Sequence, residues 1–314
     1  MILSPDGTTA LSSLGWIEHD GLWRLDVARG AVDTIAMGTG ARYASLHRSP
    51  GSPRFAVGHH FDGPRYEISV RDYRAPEAVL AGAVVENGTG RLTGDPAAWT
   101  GVPLLYVEYL TSAPWDDFVL LKVQPAAGTI AIQPLIWFDD SYDKAYQGVI
   151  GVLELPDPDV ALVAVQRSSR LILHDLRTGA ARRSIELAGG YGGNPQLELR
   201  DSGREVWASA YNAIAVVRVG KWRVHRRAQL QEADGTTQLF VGHFAFVPDE
   251  DLCAVSRPFS GDIVAVDVRT LEVIQTAHVG RQPMEVAALP GGDVVARDWQ
   301  TGDLLRGSLR SRGR

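Results

Sequence analysis

His243 and Glu285 each stand five residues ahead of a proline that opens a turn, Pro248 and Pro290. Equal spacing from equivalent turns puts the two side chains at the same position on neighbouring strands of a repeat. His47 lies three residues before Pro50 and shares their parity under the two-residue alternation of a strand. An imidazole beside a carboxylate is a pairing that general acid–base chemistry uses, and the same groups can ligate a divalent metal. Elimination, hydrolysis or isomerisation would follow if His243 and Glu285 trade a proton, with His47 or His60 assisting. The alternative is structural, a His and a Glu hydrogen-bonded to backbone or water.

A second set of residues suits binding. His60, Trp99, Tyr146, Tyr211, Arg257, Arg281 and Trp299 fall in or beside the segments that join apolar runs. Aromatic walls with a few convergent His and Arg groups are what a small-molecule pocket needs. For any single aromatic, packing between blades is the favoured reading. The usual catalytic signatures are missing: no His-Glu-x-x-His, Gly-x-Ser-x-Gly, Gly-x-x-x-x-Gly-Lys or Gly-x-Gly-x-x-Gly occurs. Asp139, Asp140 and Asp143 crowd one stretch, but their spacing fits no calcium loop and reads as a solvated acidic loop. No cofactor is identifiable, and a divalent metal is admitted only through the His243–Glu285 pair. Cys253 is the only cysteine and lies in the apolar run Leu252-Cys-Ala-Val255, the setting of a buried structural thiol.

The elements that must carry these residues repeat. Leu171-Ile-Leu-His-Asp175 leads into Arg183-Ser-Ile-Glu-Leu187, and Ile263-Val-Ala-Val-Asp267 into Glu272-Val-Ile-Gln-Thr276. Leu22-Trp-Arg-Leu-Asp26 precedes Val32-Asp-Thr-Ile35, and Glu67-Ile-Ser-Val-Arg-Asp72 precedes Ala78-Val-Leu80. Short apolar strands ending in an Asp turn and recurring every 40 to 50 residues point to an all-β, seven-bladed β-propeller of four-stranded antiparallel blades around a central channel. Turn clusters of Gly, Pro, Asp and Asn draw the blades at about 1–40, 41–86, 87–138, 139–190, 191–234, 235–280 and 281–314, one domain in all. The third is read as running from Trp99. The first opens on a very short strand, Ile2-Leu3, and the last shows no fourth strand after Arg310. In this architecture the candidate loops share one face, at the mouth of the channel.

The stretch Ser260-Gly-Asp-Ile-Val-Ala-Val-Asp-Val-Arg-Thr-Leu-Glu-Val-Ile-Gln-Thr-Ala-His-Val-Gly280, followed by Pro283, resembles the seven-bladed propellers of the YVTN-repeat and lactonase-like families. WD40 propellers differ, because Trp115-Asp116 does not close a strand. His243 and Glu285 also resemble part of the metal triad of streptogramin lyases, where a His on one blade is followed by Glu-x-His on the next. That resemblance implies metal-assisted elimination, but the third position is Ala287 here. Quinone-cofactor propellers carry tryptophan-rich docking motifs that this chain lacks.

Bulk properties narrow the partners. The 314 residues are 45% hydrophobic and 22% charged, enough for a large core. A net charge of −6 and a pI near 5.8 argue against a protein that lives on a phosphate backbone. Arg223, His225, Arg226 and Arg227 read as a solvated strand edge. No window reaches 18 apolar residues, so no membrane span is expected, and the start of the chain does not read as a signal peptide. The expectation is a cytoplasmic propeller that binds a small molecule and acts on it by lyase or hydrolase-type chemistry. The alternative is a non-catalytic scaffold for a protein partner.

Overall fold

The computed structural model describes residues 1–13, 21–37, 42–48, 53–60, 65–86, 88–92, 94–95, 105–111, 118–126, 129–138, 149–157, 159–165, 170–187, 196–210, 212–230, 241–248, 250–298 and 300–309. These residues form seven β-sheets. The first contains β1 (Ile2–Leu3), β2 (Thr9–Ser13), β3 (Gly21–Asp26) and β4 (Ala31–Ala36). The second contains β5 (Arg42–Arg48), β6 (Arg54–His60), β7 (Arg65–Asp72) and β8 (Ala81–Glu86). Next come β9 (Gly88–Leu92), β10 (Gly94–Asp95), β11 (Leu105–Thr111), β12 (Phe118–Ala126) and β13 (Thr129–Phe138). Of these, β9 and β11–β13 make the third sheet, while β10 pairs in parallel with the first strand of the fourth.

The fourth sheet continues with β14 (Val149–Glu154), β15 (Val160–Val165), β16 (Arg170–Asp175) and β17 (Ala181–Glu186). The fifth is β18 (Leu197–Arg200), β19 (Glu205–Ala210), β20 (Ala213–Arg218) and β21 (Arg223–Gln229). The sixth is β22 (Phe244–Phe246), β23 (Leu252–Arg257), β24 (Asp262–Asp267) and β25 (Val273–His278). The seventh has three strands, β26 (Pro283–Ala288), β27 (Asp293–Asp298) and β28 (Leu304–Ser308). The only helical turn among the described residues is the 3-10 turn Asp201–Gly203, so no described helix is long and apolar enough to cross a membrane.

The third sheet opens at Gly88, near the start of the 87–138 segment and ahead of Trp99. Its first strand is β9, paired antiparallel with β11, and Trp99 lies outside the described residues. Gly88-Thr-Gly90 carries no apolar alternation, so the segment gives no strand signal of its own. Backbone pairing to β11 makes the strand.

The chain divides into two compact units, one of residues 2–165 with 172–184, the other of residue 1 with 166–171 and 185–314. In the first unit, Ile2, Leu11, Leu22, Ile35, Phe55, Val57 and Tyr73 form a core between the first two sheets. In the second, Trp207, Ile214, Val216, Phe244, Cys253, Val255 and Val264 pack the fifth sheet on the sixth. Val247, Ala254, Ile263, Val286, Ala288, Val294 and Ala296 pack the sixth on the seventh. Middle strands are therefore covered on both faces, and β19 is buried along its whole length while β25 is largely exposed. This explains the unbroken apolar runs in the sequence where a half-exposed strand would alternate.

Asp26, Asp72, Asp175 and Asp267 end β3, β7, β16 and β24. Each carboxylate accepts a backbone N–H from two or three residues on, at 2.8–3.0 Å. The repeated Asp is thus the residue that closes the turn to the outer strand. The Asp175 carboxyl falls to about 2, chiefly through the Arg182 hydrogen bond with the turn N–H groups behind it.

Trp207 is the largest fully buried side chain among the described residues and meets Phe246 edge-on at 5.1 Å. Trp207→Ala should lower stability by about 3–5 kcal/mol, read from the shift in a chemical denaturation midpoint.

Candidate functional site

The fifth residue of the second strand is Ser209 in β19, Ser256 in β23 and Arg297 in β27. Opposite these lie Gln196, His243 and Glu285. His243 and Glu285 therefore occupy the same position in successive sheets, as their spacing from the turn prolines implies, and Gln196 occupies it one sheet earlier. On β5 the corresponding position is Ser45, opposite Gly58. His47 pairs with Ala56, two residues along and with the same parity.

The main chain at His243 is held by the serine. The N–H of His243 lies 2.9 Å from both Ser256 Oγ and the carbonyl of Met284. Ser256 Oγ in turn donates to Met284 O at 2.6 Å, which ties the sixth sheet to the seventh at this level. Gln196 is held in the same way, its N–H donating to Ser209 Oγ at 2.8 Å, and its side-chain amide spans to the backbone of Phe244. Gly242 is required beside His243. A Cβ there would come within 2.5 Å of Ser256 Oγ and 2.6 Å of Met284 O.

In the seventh sheet the serine is replaced by Arg297, whose Nη2 donates to Glu285 Oε1 at 2.8 Å. The ammonium of Met1, a member of the same compact unit, meets Glu285 Oε2 at 2.5 Å. Both oxygens of the carboxylate thus face a cation. Burial would raise the Glu285 carboxyl, but the Met1 ammonium and Arg297 beside it hold it well below the usual carboxylate range. Burial takes the His243 imidazole down to about 4, with Arg297 and the ammonium working against protonation and Glu285 for it. The cluster thus sets an imidazole held neutral beside a carboxylate held ionised.

Arg257 and Arg281 stand apart from this cluster. Arg257 donates through Nε and Nη2 to Asp262 at 2.7 and 2.5 Å, a fork closing the β23–β24 hairpin, and only a tenth of either side chain is exposed. Arg281 is on the surface, paired with Asp303 and bonded to Thr301 at 3.0 Å. Asp298 is fully buried and accepts the backbone N–H groups of Gln282, Gln300 and Thr301. His60 ends β6, opposite Arg42 and Tyr66. Trp99, Tyr146, Tyr211 and Trp299 lie outside the described residues, as do Asp139, Asp140 and Asp143. The Cys253 thiol is buried and pushed well above its usual range, so it is no nucleophile. Among the described residues no three His, Cys, Asp or Glu side chains converge in a way that could hold a metal ion.

Sequence reasoning missed Arg297 and the Met1 ammonium. The signal for Arg297 was present: it is the one cation in the apolar strand Val294-Val-Ala-Arg-Asp298. Nothing in the sequence links residue 1 to residue 285.

Solved structures share this architecture. The β-propeller domain of Cps50 (Swd1) from Myceliophteria thermophila superposes with a TM-score of 0.70 at 14% identity, over 98% of this chain and 95% of that one. A chain of a mitotic checkpoint complex superposes at 0.64 with 9% identity, over 93% of this chain and 82% of that one. No protein-family model matches the chain, and no curated protein matches its sequence. The fold is an all-β propeller, and the seven sheets are consistent with seven blades.

Two predictions follow from the cluster's geometry. Gly242→Ala should lower stability by about 1–3 kcal/mol in denaturant titration, because the tie between the two sheets must open to admit the methyl. The second concerns acid. His243 titrates near 4 when folded and near 6.5 when unfolded, so the unfolded chain takes up the proton first and stability falls as pH drops from about 6.5 to 4. Glu285, depressed in the folded state, adds its loss below its ordinary value of 4.5. Urea midpoints across this range should fall throughout for the native chain. In His243→Gln the decline above pH 4.5 should be shallower.

Proposed function

We propose that this propeller is a non-catalytic scaffold that docks a protein partner on its loops. The observation that carries the reading is the state of the inner-strand cluster. Glu285 is neutralised by Arg297 and the Met1 ammonium, and His243 is held uncharged. A general acid–base pair needs groups that titrate near the working pH, and neither of these does. Supporting it, Phe259 is 52% exposed at the tip of the β23–β24 hairpin. That hairpin is braced where Gly261 O accepts the N–H groups of Val279 and Gly280 at 3.1 and 3.0 Å. An exposed aromatic on a braced loop is the kind of anchor that dominates protein interfaces. One of the structural neighbours is a chain of a mitotic checkpoint complex. A single cysteine, and so no internal disulfide, suits a cytoplasmic partner.

A second reading keeps the small-molecule ligand. It is favoured by His243, only partly buried, standing beside an Arg297 whose Nε and Nη1 have no partner among the described residues. On this reading His243 and Glu285, with His47 or His60, serve elimination, hydrolysis or isomerisation of the kind found in lactonase-like and lyase propellers. His60, Trp99, Tyr146, Tyr211, Arg257, Arg281 and Trp299 then bind substrate.

Purification of the tagged chain from its own host separates the two. A scaffold should elute in a stoichiometric assembly larger than its own 34.0 kDa, and Phe259→Asp should weaken the reconstituted complex at least about tenfold. A chain that elutes alone, and whose turnover of lactone or ester substrates disappears in His243→Ala, would establish the second reading instead.

A further inference from the structure

Arg297 is 4% exposed, and of its guanidinium nitrogens only Nη2 has a partner, Glu285 Oε1. Nε and Nη1 are buried without a hydrogen-bond acceptor among the described residues. A buried ionised group whose donors stay unmet is unfavourable, and native structures meet such donors with an acceptor. The two preceding sheets fill the same position with Ser209 and Ser256, whose hydroxyls bond the inner strand. Only the seventh sheet places a cation there, with more donors than its own strand can use.

We infer that Arg297, with the His243 ring beside it, is a receptor for the carboxylate of a small organic acid carrying a single negative charge. Arg297 gives only Nη2 to Glu285, the one carboxylate bonded to it among the described residues, and the nearness of that carboxylate selects the anion. A dianion such as phosphate would bring a second charge close to Glu285, and like charges at short range repel strongly when water is excluded. The planar guanidinium presents its N–H groups in the plane in which a carboxylate accepts them. The neutral, partly buried imidazole can supply one further hydrogen bond, as donor or acceptor according to its tautomer. Glu285 holds Arg297 in place and is a positioning residue in this arrangement. The site is independent of the scaffold reading, because an organic acid can occupy the inner strands whether or not a protein docks on the loops.

Thermal unfolding of the full chain in acetate or propionate, against chloride and phosphate at matched ionic strength and pH 8, where phosphate is mostly the dianion, tests this. The monocarboxylates should give a saturable rise in melting temperature of about 2–4 °C that chloride and phosphate do not. Arg297→Gln should abolish the rise. Acetate no better than chloride, phosphate better than acetate, or a rise that survives Arg297→Gln would each overturn the inference. Should Arg297→Gln fail to fold, crystals of the native chain soaked in propionate decide the matter. A carboxylate within hydrogen-bond distance of Nε or Nη1 supports the site, and a water molecule bound there overturns it. Loss of the Phe259 interface would leave this result untouched, so the two readings fail separately.

Discussion

The constraint on which the structure rests is that the middle strands of adjacent sheets pack face to face and are buried there. β19, β20, β23, β24 and β27 are buried almost throughout, so nearly every residue on them must be apolar or have its polar atoms satisfied locally. Burial of apolar surface drives the sheets together, and the same burial makes an unmet polar group expensive. The polar atoms that remain on these strands therefore report on something specific. Ser209 and Ser256 satisfy themselves by bonding the inner strand. Arg257 and Asp262 satisfy each other across a hairpin. Among the described residues of these strands, Trp207 and Arg297 keep buried donors unmet, and of the two only Arg297 carries a charge.

The inner strand of a sheet has one flank paired and the other turned from its own sheet, so it is where side-chain chemistry can be shown without disrupting the packing. Gln196, His243 and Glu285 take that position in three successive sheets, and each solves the polar problem differently. Gln196 bridges to the backbone of the next sheet, His243 stays neutral, and Glu285 stays charged between two cations. The last two states are coupled. The cations that keep Glu285 ionised also repel a proton from His243, and Glu285 alone attracts one. Burial and the cations win, as the imidazole's fall to about 4 shows.

Much of this was legible in the sequence because it is local. The Asp turns are written in four or five consecutive residues, and an Asx turn needs nothing else. The equivalence of His243 and Glu285 follows from counting to a turn, since strand register is fixed by the turn it enters. What was not legible depends on residues distant in sequence or on backbone pairing alone. β9 is glycine-rich and owes its state to β11. The Met1 ammonium reaches Glu285 across 284 positions. Arg257 was read as a ligand-binding cation because a lone Arg in a loop looks available. Asp262, five residues on, faces it only when the hairpin closes.

The difference between Arg257 and Arg297 bears on how function is to be read in such a fold. Both are arginines near the end of a second strand, one residue apart in register, and both are buried beside a carboxylate. Arg257 gives Nε and Nη2 to one carboxylate in a side-on fork, which fixes the hairpin and leaves little for a ligand. Arg297 spends a single nitrogen on Glu285, and that carboxylate is shared with a second cation. The same residue type is structural where its donors are matched by its own sheet and available for recognition where they are not. Donor accounting of this kind separates scaffold from site in a fold whose repeats make every sheet look alike.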